Sequence, residues 1–259
     1  MTGTSLTAIA EYLDGLLRTA ELPDYPNALN GVQLSNRSEI TRVAASVDIS
    51  QRVISQVAER GANLLIVHHG MFWGGLQPLR GTQYHRLRTL FDHDIAVYSS
   101  HLPLDAHPEV GNNVLLAREL GLSPTAGFGE FRGLMIGVRG ETNIPTARLL
   151  ERAEKFAVDH GGSARATPID HGRVTRRWAI CTGAGASTET MSEATTAGVD
   201  TLIVGEGPHW TAVDAPEAGL VIIYAGHYAT ETLGVRALAD RVTSRFGIPS
   251  SFVEAPTGL

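Results

Sequence analysis

The sequence predicts an α/β fold, and three observations carry that prediction. Short apolar runs of strand length recur along the chain, helical patterns fall between them, and the second half echoes the first. Such alternation implies βαβ units and largely parallel sheets. The strand-length runs are RVAASV at 42–47, NLLIV at 63–67 and IAVY at 95–98, then LMIGV at 134–138, WAICT at 178–182, TLIV at 201–204 and LVIIY at 220–224.

An amphipathic helix is expected near the start. In TSLTAIAEYLDGLL, Leu6, Ile9, Leu13 and Leu16 or Leu17 share one face. Glu11 and Asp14 interrupt the stretch and no basic segment precedes it, so it does not read as a signal peptide. Further helical patterns cover 51–60, 112–120, 144–160, 188–197 and 229–246. The least structured stretch, GLSPTAGFGEFRG at 121–133, suggests a boundary between lobes at 1–125 and 126–259.

The internal echo is specific. Ser50 aligns with Ser187 and Gly61 with Gly198, both at an offset of 137, so each copy reads strand, serine cap, helix, glycine stop, strand. A second alignment sets IAVYSSHLPLD over VIIYAGHYATE at an offset of 126. Tyr98 then meets Tyr224, His101 meets His227, and Asp105 meets Glu231.

Composition narrows the function. The 259 residues carry a formal charge of -6 and a pI near 5.9, which argues against a general nucleic-acid or anionic-membrane binder. No apolar run approaches the roughly 20 residues that cross a bilayer. The expectation is a cytoplasmic, soluble protein. The single cysteine, Cys181, rules out an intrachain disulfide or a thiolate cluster, whereas ten histidines make N/O metal ligation the natural alternative.

In parallel α/β sheets functional groups gather beyond the carboxyl ends of strands. Three apolar runs end in suitable groups: His68-His69, His101 with Asp105, and His227 with Glu231. Imidazoles and carboxylates together suit Zn, Mn or Fe(II), and a carboxylate can bridge two ions. Adjacent side chains on an extended segment diverge, so His68 and His69 suit one metal each. Glu206 and His209, in GEGPHW, occupy the second-half position of the His68-His69 pair and are candidate acid/base groups. Phe72 and Trp73, which follow His69, are placed to stack on a planar ring. His85, His93, His107, His160 and His171 read as surface or loop residues.

The motifs LIVHHGMFW, SSHLPLDAHPEVGNN, VGEGPHW and AGHYATETLGV, with NGVQLS and AASVDIS before them, resemble the Nif-three-like dinuclear metal-centre family. Its members are often called GTP cyclohydrolase I type 2. The match runs in order from Asn30 to the final helix, at the length of the family's short form. The resemblance implies two similar α/β lobes, a toroidal hexamer and a two-metal site in the cleft between lobes. Its ligands would be His68, His69, Asp105, His227 and Glu231, with Glu231 bridging and His101 a ligand or close neighbour. One departure is His209-Trp210, where the family commonly has a pair of histidines.

The function this implies is metal-dependent hydrolysis, with activated water attacking the imidazole carbon of a purine nucleotide and Glu206, His209 or His101 assisting. No Walker-type loop is visible for a triphosphate, which leaves that contact to arginines, including those of a neighbouring subunit. The alternatives are hydrolysis of a phosphoester, or a non-catalytic hexamer that buffers or delivers metal ions.

Overall fold

The computed structural model describes residues 3–259. The chain forms two compact units. The first comprises the chain up to Leu104 together with Gly234–Ala255, and the second comprises Asp105–Leu233 with Pro256–Leu259.

In the first unit the order is α1 (Leu6–Leu17), β1 (Gly31–Leu34), β2 (Val43–Asp48), α2 (Gln51–Glu59), β3 (Leu64–His69), α3 (Thr82–Asp92) and β4 (Ala96–Ser99). A short helix α4 (Leu102–Asp105) leads into the second unit. There follow α5 (Asn112–Glu119), β5 (Ala126–Phe131), β6 (Leu134–Pro145), α6 (Thr146–Asp159), β7 (Arg165–Ala166), β8 (Val174–Cys181) and α7 (Thr188–Thr196). After these come β9 (Thr201–Val204), α8 (His209–Glu217), β10 (Val221–Tyr224) and α9 (His227–Thr230). Helix α10 (Thr232–Phe246) then carries the chain back to the first unit, where β11 (Ser250–Phe252) joins its sheet.

The first sheet runs β1-β4-β3-β2-β11 and is parallel except for β1. The second runs β5-β6-β8-β9-β10-β7 and is mixed: β8, β9 and β10 are parallel, while β5, β6 and β7 pair antiparallel. Each sheet thus has a parallel βαβαβ centre. Alternation of side chains across the second sheet explains why its strands read as unbroken apolar runs. Trp178 and Ile180 pack on one face with Leu149 and Phe156, whereas Ala179 and Cys181 pack on the other with Met191 and Ala194. In the first unit, Leu65, Val67 and Val97 meet Val53, Ile54 and Val57 of α2. Helix α1 buries Ile9, Leu13 and Leu17, and Tyr12 meets Phe246 of α10 edge-on at 5.6 Å.

The internal echo is real at the helices. Ser50 Oγ accepts from Val53 N–H and Ser187 Oγ from Thr190 N–H, both at 3.2 Å. Gly61 and Gly198 end the two helices at φ +64 and +65. One residue on, Ala62 N–H donates to the Val57 carbonyl at 3.1 Å and Val199 N–H to the Ala194 carbonyl at 2.8 Å. The two copies differ in the next connection. The offset falls from 137 to 126, so the first unit carries eleven more residues in this connection, most of them in the loop 70–81 that stands in place of the short link 205–208.

The boundary expected at 125/126 lies instead at Leu104/Asp105, and the first unit is discontinuous. Two features account for this. The 121–133 stretch is no linker, because β5 pairs with β6 along its length. The C-terminal segment returns because β11 pairs in parallel with β2, Ser250 opposite Val43, and Val253 N–H donates to the Ala45 carbonyl at 2.8 Å. Among the described residues no helix is long and apolar enough to cross a membrane.

Candidate metal centre

Strand β3 ends in His68 and His69, and the turn after β4 presents His101. The ring donors of these three histidines lie within 4.8 Å of one another. The ring centroids stand 4.9 Å apart for His68–His69 and for His68–His101, and 5.7 Å for His69–His101. All three side chains are almost wholly withdrawn from solvent, His68 completely.

Each ring is oriented through its Nδ1. His68 Nδ1 donates to the Ser100 carbonyl at 2.9 Å, His69 Nδ1 meets Asp48 Oδ1 at 2.9 Å, and His101 Nδ1 meets Asp24 Oδ1 at 2.9 Å. Oxygen partners hold the proton on Nδ1, which makes Nε2 the nitrogen with the lone pair. This is the outer-shell arrangement of metal-ligating histidines. Asp24 is itself held by several donors: Leu102 N–H at 2.9 Å, Asn30 Nδ2 at 2.8 Å and its neighbour Tyr25 N–H at 2.7 Å. Burial opposes its charge, but the His101 contact and the other donors outweigh this and lower its pKa below the usual 3.8.

The second unit gathers a set of its own. His227 opens α9 and Glu231 caps its C-terminal end, so the spacing of four brings His227 Nε2 to 3.3 Å from Glu231 Oε2. On the other side His227 Nδ1 meets Glu206 Oε1 at 2.7 Å. Glu231 is 3 % exposed. Asp105 is also buried, and Asn112 Nδ2 donates to its Oδ1 at 2.8 Å while Asn113 Nδ2 reaches its carbonyl. The GNN that follows the aspartate in sequence is therefore its support. His209 stands exposed at the first turn of α8, beside Trp210.

Glycine makes room for this cluster. Gly183 sits at φ +61, and a Cβ there would fall 2.1 Å from Glu231 Oε1 and 3.3 Å from His227 Nε2. Gly205 stands where the first unit has His68, and its Cβ would lie 2.8 Å from the His227 Cα. A side chain at this position would collide with α9.

Desolvation lowers the His227 pKa, yet the Glu231 and Glu206 carboxylates outweigh it and raise the value to about 9. The folded value exceeds the ordinary 6.5, so the proton's contribution to stability is complete below about pH 6.5 and is lost as pH rises through about 9. Chelator-treated protein should therefore lose stability across that window, and the His227 ring should titrate near its upper end by NMR. Metal loading should remove that titration, because a ligating imidazole must give up the competing proton.

The donor set fits divalent transition metals: imidazole nitrogens with fixed tautomers, and buried carboxylates nearby. A family model described as Duf34/NIF3 (NGG1p interacting factor 3) matches residues 4–256. The chain belongs to the Duf34/NIF3 family. A relative of this NIF3-family chain in Deinococcus radiodurans, called GTP cyclohydrolase 1 type 2 homolog, is 41% identical over 257 residues, 97% of this chain and 93% of the relative. Among solved structures, the protein ybgI, of unknown function, superposes with a TM-score of 0.88 at 32% identity, covering 99% of this chain and 100% of that one. TTHA1606 from Thermus thermophilus gives 0.84 at 34% identity, with 99% and 100% covered. The family and the histidine cluster are consistent with a metal-dependent, hydrolase-like protein.

Sequence reasoning found the imidazoles and missed what orients them. Asp24 lies 77 residues from His101 and Asp48 lies 21 from His69. No spacing rule links such pairs. The one available signal was glycine: GAG at 183–185 follows a strand, where close backbone approach is a standing reason for the residue.

Proposed function

We propose that this protein is a metal-dependent hydrolase that binds two divalent ions, Zn, Mn or Fe, and acts on a purine nucleotide in the manner of a GTP cyclohydrolase. The reading rests most heavily on one observation: four histidines, His68, His69, His101 and His227, each have Nδ1 on an oxygen. That leaves Nε2 as the ligating nitrogen in every case. The proposed ligands are His68, His69, Asp105, His227 and Glu231, with Glu231 bridging and His101 beside them or among them. The names of the curated relatives support the purine-nucleotide substrate.

When bound, such ions polarise a substrate oxygen and lower the pKa of a water. The chain's own residues then do the rest. Asp48, Asp24 and Glu206 hold three imidazole tautomers and accept from the rings. Glu206 also sits at a half-exposed position from which it exchanges protons with solvent. Exposed His209 would move a proton between substrate and bulk water, with Trp210 at the position where the family commonly has a second histidine. The family resemblance further supports a homo-oligomer, a hexamer, in the cytoplasm.

Formate release from GTP by metal-loaded protein, compared across Zn, Mn and Fe(II), tests the substrate. Turnover with a single-metal preference is expected. A panel in which GTP is inert while a phosphoester is cleaved would replace the substrate, and a chain that binds metal but turns over nothing would favour metal handling.

A further inference from the structure

The loop 70–81 is the largest difference between the two copies of the repeat, and it puts aromatic rings against the imidazole cluster. Trp73 has its ring centroid 4.5 Å from that of His101 and 5.0 Å from that of His69. Tyr25 stands 6.0 Å from His101 and meets Trp73 edge-on at 6.2 Å. Neither ring is buried by this packing: Trp73 remains 38% and Tyr25 48% exposed. Both rings therefore keep surface that a ligand can cover.

The corner is built. Gly70 lets the Gln33 amide approach to where a Cβ would stand 2.2 Å from its nitrogen. Gln33 Oε1 accepts from Met71 N–H at 2.7 Å, and its Nε2 donates to the Ala28 and Leu29 carbonyls at 2.9 and 3.0 Å. One side chain thus ties the segment that follows Tyr25 to the loop that carries Trp73. Gly75, at φ +75, closes the turn by donating to the Phe72 carbonyl at 2.8 Å. In the second unit only 205–208 fills the corresponding place, and the residue that the 137 offset aligns with Trp73 is Trp210, on the first turn of α8.

We propose that Trp73 and Tyr25 form the ring-binding wall of a ligand site beside His69 and His101, and that the ligand it takes carries a planar heteroaromatic ring of nucleobase type. A partly exposed aromatic ring accepts any base by stacking, independently of its hydrogen-bonding edge. Its position beside the imidazoles sets the ring, not the sugar or phosphate, next to the metal centre. The inference rests on the metal-centre reading and adds the part of the substrate that is recognised.

Full-length, metal-loaded protein is titrated with guanosine, GMP and, as a ring-free control, ribose 5-phosphate. Binding is measured by calorimetry and by quenching of tryptophan fluorescence in a Trp210→Phe background, where fully buried Trp178 is the remaining other indole. Guanosine and GMP should both bind and quench, and ribose 5-phosphate should do neither. Trp73→Leu should weaken GMP binding roughly tenfold or more while metal content stays unchanged, and Trp73→Phe should restore most of the affinity. Unaltered GMP binding in Trp73→Leu overturns the proposal. So does loss of metal together with GMP in that variant, which would make Trp73 a mere support for the imidazoles. Wild-type protein that holds metal but ignores both nucleoside and nucleotide defeats the wall and leaves the metal centre standing. Ring-dependent quenching in protein that holds no metal has the converse meaning.

Discussion

Glu231→Ala should eliminate metal-dependent turnover and most metal binding in one step. The carboxylate is buried, sits 3.3 Å from the Nε2 of His227, and occupies the pocket that Gly183 leaves open. It is the proposed bridge, so its loss removes a donor from both ions. Removing an orienting group is the milder change: Glu206→Ala frees the His227 ring and should cost about 10–100-fold in metal affinity. Glu231→Ala should exceed that. Elemental analysis after dialysis, alongside formate release, reads both effects. Thermal melting of the chelated proteins provides the control, because a stable variant without metal assigns the loss to ligation. Full activity in folded Glu231→Ala would remove this residue from the mechanism.

Gly183→Ala should both destabilise the fold and impair the metal centre. At φ +61 an alanine costs about 1–2 kcal/mol for its backbone alone. The added Cβ would also sit 2.1 Å from Glu231 Oε1, and overpacking of this kind typically costs about 1–3 kcal/mol more. The sum is on the order of 2–5 kcal/mol. Gly61→Ala separates the two terms, since Gly61 has a similar φ of +64 and nothing within 4 Å of its Cβ. Denaturant melts should show the smaller loss for Gly61→Ala with metal content intact. Equal destabilisation in the two variants would mean that Glu231 yields freely, and that Gly183 is a turn residue and no more.

The seven strands expected from apolar runs are all present, six of them within a few residues of their limits and β6 seven residues longer at its end; the six that pair in parallel were legible because buried parallel strands need apolar side chains on both faces. The helices of the repeat were legible for a local reason as well: Ser50 and Ser187 satisfy orphan N–H groups, and Gly61 and Gly198 supply the left-handed stop. What stayed hidden was non-local or lacked pattern. Strand β5, AGFGEF, carries two glycines and takes its place from pairing with β6. Strand β11 is three residues long and is defined by β2, some two hundred positions earlier. The site divides the same way. The candidate ligands His68 and His69 end β3, and the pairs His101/Asp105 and His227/Glu231 follow β4 and β10 in repeated spacing, where the chain shows them. Asp24, Asp48 and Asn112 act through hydrogen bonds that only the folded chain creates.

The central claim is that imidazoles with anchored Nδ1 atoms and buried carboxylates hold two divalent ions. Elemental analysis of protein purified without added chelator tests it most directly. Wild-type chain should carry close to two equivalents of Zn, Mn or Fe per polypeptide, and His69→Ala and His227→Ala should each lower that content. Wild-type protein that retains no stoichiometric metal, even after loading, or histidine variants that retain the full complement, would contradict it.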